Sequence, residues 1–360
     1  MKKGKQSILV IFGGASPEYE VSCNSAASLI KAVSKEKYNL VTVGITKEGK
    51  WLLTNADADK INDAYSWLEE KDNKNAVLSP DRAHKGLLVL EDNSWSLIEI
   101  DGIFPIVHGE TGEDGKLPAL FELAGIPYVG AGVCASACSM DKTVTMIFSD
   151  LCSVKRPEFY SCASSDFNVD PDKITDEVIA FFEKKLGFAF PVFVKPASTG
   201  SSIGISKVNS REELFKALEL AASFNGNIIV EENIAGRELK VAVLGNENPV
   251  TGDICEIILN PGTVNSYELK YKSTGSHKMI PADLTEEKVA EIKRAAVDIY
   301  KKLDCKGFAR VDFFLKDNGD VYFNEINTVP GFSKHSIYPL MFKSIGISYE
   351  ELIEKLFATM

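Results

Sequence analysis

Residues 191–208 read PVFVKPASTGSSIGISKV, and the fold turns on them. An apolar strand signal runs into Lys195, small and hydroxyl-bearing residues fill 197–202, and a second strand signal, IGISKV, follows at once. Such a loop presents backbone N–H groups and hydroxyls to an anion. It is not a P-loop, in which Gly-Lys-Ser/Thr opens a helix; here the lysine precedes the loop and a strand comes after it. A tight hairpin turn is the competing reading of the same residues.

Outward from this loop, strand and helix signals alternate. A helix is expected over 175–185, an amphipathic helix over 210–223 and the strand NIIVEE over 227–232. The last third carries the strands LKVAVLG (239–245), ICEIIL (254–259), FARVDFFL (308–315) and VYFNEIN (321–327), with helices at 285–303 and 348–358. At the other end, SILVIF (7–12) stops at Gly13-Gly14, and Ser22 is expected to cap a helix through Ala26, Leu29, Ile30 and Val33. Strands at 38–46 and 97–107 complete a buried parallel sheet. The polar segment 51–96 reads as a rim with a hairpin turning at Asp92-Asn93. A helix over 135–149 and a polar stretch over 161–172 lead back to the starting loop.

Length and composition fit a soluble globular α/β protein of two or three domains: 360 residues, 45% hydrophobic and 25% charged. A net charge of -11 offers no broad basic field for a phosphate backbone, so nucleic acid is not an expected partner. No stretch reaches the roughly 18 apolar residues of a membrane span, and the run at 8–12 is too short for a secretory signal. Seven cysteines with no export signal point to reduced thiols and a cytoplasmic location. Cys134 and Cys138 lack the companion ligands of a zinc site.

Three clusters carry candidate chemistry. Asp312 lies in one late strand and Glu325 in the next, with Asn327 two residues on, so Glu325 and Asn327 share a face and Asp312 can meet them. Oxygen donors among apolar residues suit a hard cation such as Mg²⁺ bridging nucleotide phosphates; taken singly, each acid also fits an edge or turn. Arg310, two positions before Asp312, points the same way and reads either as a cation facing an oxyanion or as a structural ion pair. The irregular segment 327–336, rich in backbone donors and hydroxyls, suits a carboxylate or oxyanion. Glu18, His108 and Glu113 sit where strands end at the ligand-facing edge of a parallel sheet, and they either converge or are solvated caps.

Nine segments in order, GGASPEYEVS, HGETGEDG, FELAGIPYVG, SMDK, VKPASTGSSIGISKV, VEENIAGRE, YELKY, GFARVDFFL and NEINTVPGFSKHSIYP, resemble the D-alanine-D-alanine ligase family of ATP-grasp enzymes, including its vancomycin-resistance relatives. The resemblance spans essentially the whole chain. It implies an ATP-grasp fold with an N-terminal open parallel-sheet (Rossmann-like) domain at 1–130, a central lobe at 131–228, and a C-terminal lobe at 229–360 with a mobile lid at about 261–281. It also implies ATP and Mg²⁺ as cofactors, with Mn²⁺ as a substitute and two metal ions, D-alanine as substrate, and a homodimer.

By position, Lys142 and Lys195, with Ser201 and Ser202, resemble the nucleotide-phosphate contacts, and Glu231, Glu232, Ile234 and Glu238 resemble the adenine and ribose contacts. Asp312, Glu325 and Asn327 resemble the metal ligands. Glu18, Ser201 and Tyr271 resemble a triad around the first D-alanine, and His108 resembles the histidine beside it. Arg310 and the Gly331 backbone resemble oxyanion stabilisers; Ser336 and Lys270 resemble groups that hold the second carboxylate, with Ile337 beside its methyl. The stretch 143–157 departs from the family's usual lysine and proline-rich pattern.

Competing readings are a ligase that takes D-serine, or less readily D-lactate, as second substrate, and a non-catalytic nucleotide-binding regulator. A dinucleotide oxidoreductase is disfavoured because G-x-G-x-x-G is missing.

Overall fold

The computed structural model describes residues 4–200, 203–259 and 276–360. It opens with β1 (Gln6–Gly13), whose residues Ile8–Phe12 are fully sealed from solvent, as a central strand covered on both faces requires. Helix α1 (Tyr19–Ala32) follows, and β2 (Tyr38–Ile45) pairs parallel to β1. The helix starts one turn earlier than Ser22. That residue is no cap: its hydroxyl accepts from Gly13 N at 2.8 Å and donates to the carbonyl of Ile106, tying together two strand ends. Gly13 has φ +85°, and a Cβ there would lie 2.2 Å from the Ile45 carbonyl oxygen, so this turn needs glycine.

The 51–96 segment is part of the sheet. It supplies β3 (Trp51–Leu53), helix α2 (Ala58–Asn62), β4 (Lys74–Leu78), β5 (Gly86–Glu91) and β6 (Ser94–Glu99), all antiparallel additions. Glu91 pairs with Ser94 across Asp92-Asn93, the expected two-residue turn. The strand expected at 97–107 is two strands. Its first half belongs to β6, and β7 (Gly102–Ile106) pairs parallel to β1. Asp101 breaks it, because its carboxylate accepts from Ser7 N at 2.7 Å. The sheet is therefore mixed, in the order β6-β5-β4-β3-β2-β1-β7, with only β2, β1 and β7 parallel.

Helix α3 (Lys116–Ala124) leads into α4 (Val133–Met140) and α5 (Lys142–Ser149). The single helix expected over 135–149 divides at Asp141, whose side chain caps α5 by accepting from Thr143 N and Val144 N. The polar stretch after it hides β8 (Phe159–Ala163) and α6 (Ser164–Val169). Helix α7 (Pro171–Leu186) starts behind an Asp170 cap. Strands β9 (Val192–Pro196) and β10 (Ser206–Val208) pair antiparallel, so the hairpin and the anion loop are the same object: the glycine-serine residues lie between the two strands. Helix α8 (Arg211–Ala222) and β11 (Asn227–Glu232) complete a four-stranded antiparallel sheet, β10-β9-β11-β8, packed on α6, α7 and α8 through Phe182, Val194, Leu214, Leu218 and Val230.

The third sheet is antiparallel: β12 (Arg237–Leu244), β13 (Val250–Leu259), β14 (Ser276–Met279), β15 (Phe308–Leu315) and β16 (Val321–Asn327), in the order β14-β13-β12-β15-β16. Helix α9 (Glu286–Lys302) covers one face with Ile292, Ala295, Ala296 and Ile299. Helix α10 (Ile337–Ser344), which sequence patterning missed, packs against β12 and β13 on the other face, and α11 (Tyr349–Phe357) returns to α1. Phe104 from the first sheet meets Phe308, Phe332 and Phe357 with ring centroids 5.5–6.0 Å apart, inside one core that also holds Ile8, Val10 and Leu352. All seven cysteines are free thiols, and among the described residues no helix is long and apolar enough to cross a membrane.

Candidate active site

Antiparallel pairing of β15 with β16 sets Asp312 opposite Glu325 and Arg310 opposite Asn327, so the four residues picked from strand alternation do meet. Asp312 is fully buried. Arg310 grips it with Nε on Oδ1 at 2.7 Å and Nη2 on Oδ2 at 2.8 Å. Lys240, opposite Asp312 on β12, donates to the same Oδ2 at 2.7 Å and to Glu238 Oε1 at 2.6 Å. Burial alone would push the Asp312 carboxyl up; Arg310 and Lys240 outweigh it and hold the group well below the usual carboxylate range. Burial would also weaken the Arg310 cation, but Asp312 and Glu325 more than offset this. Arg310 therefore does form a structural ion pair, and it also lines the cavity described below.

A carboxylate offers about four lone-pair sites. Three of these on Asp312 are taken, which leaves one on Oδ1. Asn327 Oδ1 accepts from Val329 N at 3.0 Å and keeps a second lone pair, while the Glu325 side chain is 32% exposed. Among the described residues no group of three His, Cys, Asp or Glu side chains is clustered for a metal. Two carboxylates and one amide oxygen fit Mg²⁺, which commonly takes one or two carboxylates and completes its shell with water and substrate phosphates.

In the second sheet, Lys195 Nζ donates to Glu231 Oε2 at 2.6 Å, with both side chains buried. Among the described residues, nothing donates a hydrogen bond to the buried Glu231 Oε1. Lys142 opens α5 and donates to the Thr199 carbonyl at 2.7 Å, tying the helix to the glycine-serine loop. Glu232 Oε2 accepts from Glu158 N at 3.2 Å, and Ile234 is buried. Ser201, Ser202, Lys270 and Tyr271 lie outside the described residues, as does most of the lid expected at 261–281.

Glu18, His108 and Glu113 converge. A Cβ on Gly109 would come within 2.8 Å of Glu18 Oε2, and one on Gly200 within 3.3 Å, so this carboxylate touches both glycine-bearing loops. His108 Nδ1 lies 2.7 Å from the Val329 carbonyl and Nε2 3.1 Å from Ser25 Oγ, which itself accepts from Phe332 N at 3.2 Å. These partners fit a neutral ring with the proton on Nδ1 and the Ser25 hydroxyl donating to Nε2. Burial pushes the His108 pKa down, only partly countered by Glu18. Glu113, accepting from Gly109 N at 2.8 Å, is pushed well above the carboxylate range by burial and by Glu18.

One cavity of about 530 Å³ joins these clusters. Glu18, His108 and Glu113 line it with Lys142, Arg310, Glu325 and Asn327, and with Gly331, Ser336 and Ile337 from the 327–337 turn. Asp312 stands behind Arg310, and Lys195, Glu231, Glu232, Ile234 and Glu238 lie outside the lining. Lys240 and Lys278 line it too, and sequence reading missed both. The signal for Lys240 was available: Glu238 and Lys240 are charges at alternate positions, and Lys240 is followed directly by the apolar run VAVL.

The neutral histidine has a measurable consequence. Below about pH 6.5 the unfolded chain protonates this ring and the folded protein resists, so the unfolded state binds more protons and stability falls as pH drops. Relative to His108→Gln, the protein is expected to lose up to about 1.4 kcal/mol per pH unit between 6.5 and 5.5 in urea unfolding. The variant comparison is needed because Glu113, with a raised pKa, acts in the opposite direction above about pH 4.5. A difference that stays flat across that window would mean that His108 titrates normally.

Family models for the D-ala D-ala ligase N-terminus and C-terminus match residues 7–131 and 154–358. The D-alanine--D-alanine ligase of Acetivibrio thermocellus is 42% identical, over 98% of this chain and 95% of its own length. D-alanine--D-alanine ligase B of Clostridium tetani is also 42% identical, over 99% and 93%. Among solved structures, the VanG D-Ala:D-Ser ligase of Enterococcus faecalis superposes with a TM-score of 0.88 at 37% identity over 99% of both chains. With motif order, sheet topology and full-length similarity in agreement, the chain belongs to the D-alanine-D-alanine ligase family of ATP-dependent ligases.

Proposed function

We propose that the chain joins two D-alanine molecules, with ATP consumed, to make D-alanyl-D-alanine for peptidoglycan precursors in the cytoplasm. The observation that carries this is the meeting, in one cavity, of the Glu18 wall with the Arg310–Glu325–Asn327 edge and the Ser336–Ile337 turn. An ammonium beside Glu18 places the first substrate's carboxylate toward the glycine-serine loop. That carboxylate attacks the γ-phosphate of ATP, ADP leaves, and an acylphosphate results. The amine of the second D-alanine then attacks the acyl carbon; the tetrahedral oxyanion is met by Arg310 and the Gly331 N–H, and phosphate departs. Ser336 receives the second carboxylate, and Ile337 offers an apolar contact to its methyl.

Lys142 and Lys195 hold the phosphates, and the unpartnered Glu231 Oε1 is the natural acceptor for the adenine amino group, with Glu232 beside it, Ile234 packed against the base and Glu238 on the ribose. Asp312, Glu325 and Asn327 would hold Mg²⁺, which neutralises the triphosphate when bound. Lys270 and Tyr271, with Ser201 and Ser202, complete the reading by their likeness to the family's residues. We assign one sheet to each of the three expected segments, although the first and third share one core; the expected division at 228/229 falls inside β11, which runs to Glu232, and moves to the 233–236 connection. We assign a homodimer.

A second reading, D-serine as second substrate, draws on the likeness to VanG, and an added hydroxyl is rejected only modestly by an apolar pocket. The test is phosphate release from Mg·ATP with D-alanine alone, then with D-serine or D-lactate added, with products resolved by mass. D-alanyl-D-alanine is expected to dominate every mixture. A dominant mixed product moves the chain to the resistance type, and no stimulation by any D-amino acid removes the proposal.

A further inference from the structure

Five acidic and basic side chains meet on one face of β12, β15 and β16: Glu238, Asp312 and Glu325 against Lys240 and Arg310. Arg310 serves Asp312 and lies 3.9 Å from Glu325. Lys240 links the acids of two other strand positions, with 2.6 Å to Glu238 on its own strand and 2.7 Å to Asp312 on β15. Its side chain is 6% exposed. Cys255, opposite it on β13, has its thiol pushed up to about 11 by burial and so supplies no charge. Burying an ammonium is expensive, and an apolar residue here would cost the fold less if Asp312 were not also buried and ionised. An ammonium has three N–H groups; among the described residues these two acids use two, and Lys240 lines the cavity.

We infer that Lys240 is a positioning residue of the nucleotide site: it fixes the ribose-side acid Glu238 to the metal-side acid Asp312 and turns its remaining N–H toward the phosphates. This deepens the proposed function and rests on its assignment of Glu238 and Asp312. Two opposed effects follow. For the triphosphate, Lys240 is an attractive cation and a spacer. For a divalent cation at Asp312 in the absence of nucleotide, it is a repulsive neighbour.

The experiment compares Lys240→Met, which keeps an unbranched stem and loses the charge, with Lys240→Arg, which keeps the charge. One readout is the affinity of a non-hydrolysable ATP analogue at saturating Mg²⁺, measured by calorimetry. The other is the affinity of the nucleotide-free protein for Mn²⁺, read from the free-ion EPR signal. Lys240→Met is expected to weaken the analogue by at least tenfold while Mn²⁺ binding strengthens, on the order of tenfold for one unit charge removed at short range. Lys240→Arg is expected to stay within about threefold of the parent in both, since the unit charge is kept. A purely structural lysine would weaken both together in the Met variant, and that result overturns the inference, as does analogue binding within twofold of the parent. If the Met variant does not fold, Lys240→Arg decides, and loss of analogue binding in a folded Arg variant overturns it. Failure of the functional proposal looks different: the unsubstituted protein would not bind the analogue at all, or would bind it without turning over D-alanine.

Discussion

Arg310→Met is expected to reduce turnover by on the order of 10²–10³, the usual loss when a preorganised oxyanion partner is removed, and to destabilise the fold by about 3–5 kcal/mol. The second number comes from Asp312. It is fully buried and its two oxygens take both arms of the guanidinium; without Arg310 a buried carboxylate is left with Lys240, which Glu238 also claims. The two effects separate in a double variant. Arg310→Met with Asp312→Leu removes charge in equal and opposite amounts, so most of the stability should return while turnover stays lost. Steady-state phosphate release and urea unfolding decide the matter. A single variant as stable as the parent would mean that Asp312 is not ionised in the fold.

Glu325→Ala is expected to give the cleanest inactive protein, with phosphate release lowered by on the order of 10³, since it removes a carboxylate from the oxygen set that faces the nucleotide. Stability should stay within about 1 kcal/mol of the parent, because this side chain is a third exposed and an exposed ion pair contributes little. Asp312, Arg310 and Lys240 keep their mutual contacts, so circular dichroism and the unfolding midpoint should be close to unchanged. Retained turnover in Glu325→Ala would exclude this edge as the metal site. Activity lost only through lost folding would reassign Glu325 to structure.

Sequence reading succeeded where a local rule had no competitor. FARVDFFL and VYFNEIN became β15 and β16 with the stated boundaries, because apolar runs bounded by turns leave few alternatives, and their pairing delivered Asp312 to Glu325 and Arg310 to Asn327. Reading failed where one side chain redirected the backbone. Asp101 splits an apolar run into an antiparallel and a parallel strand, Asp141 caps a helix that composition alone would continue, and Ser22 spends its hydroxyl on two strand ends instead of a cap. The antiparallel extension of the first sheet was hidden by the polarity of 51–96, since edge strands tolerate charge. In the site, single acids were visible but their counter-charges were not. Lys240 acquires its role only when β12 is laid beside β15, a contact 72 residues away in sequence.

The aromatic core around Phe104 bears on how this enzyme could be divided. Phe104 comes from the N-terminal segment matched by one family model, while Phe308, Phe332 and Phe357 come from the segment matched by the other, and α11 packs into the same core as β1. A boundary in sequence near residue 131 is therefore not a boundary in packing. Severed there, each fragment would face water with the apolar surface that its counterpart now covers, and each aromatic pair across the cut would forfeit about 0.5–1.5 kcal/mol beyond the lost burial. The four-stranded sheet is built differently: the core on its helix-covered face draws on residues between Phe167 and Val230, with partly buried neighbours such as Tyr160 and Cys162, while Ile229 and Phe159 meet the C-terminal core. The middle of the chain carries a core of its own on one face, and the two ends are mutually dependent halves of one folding unit.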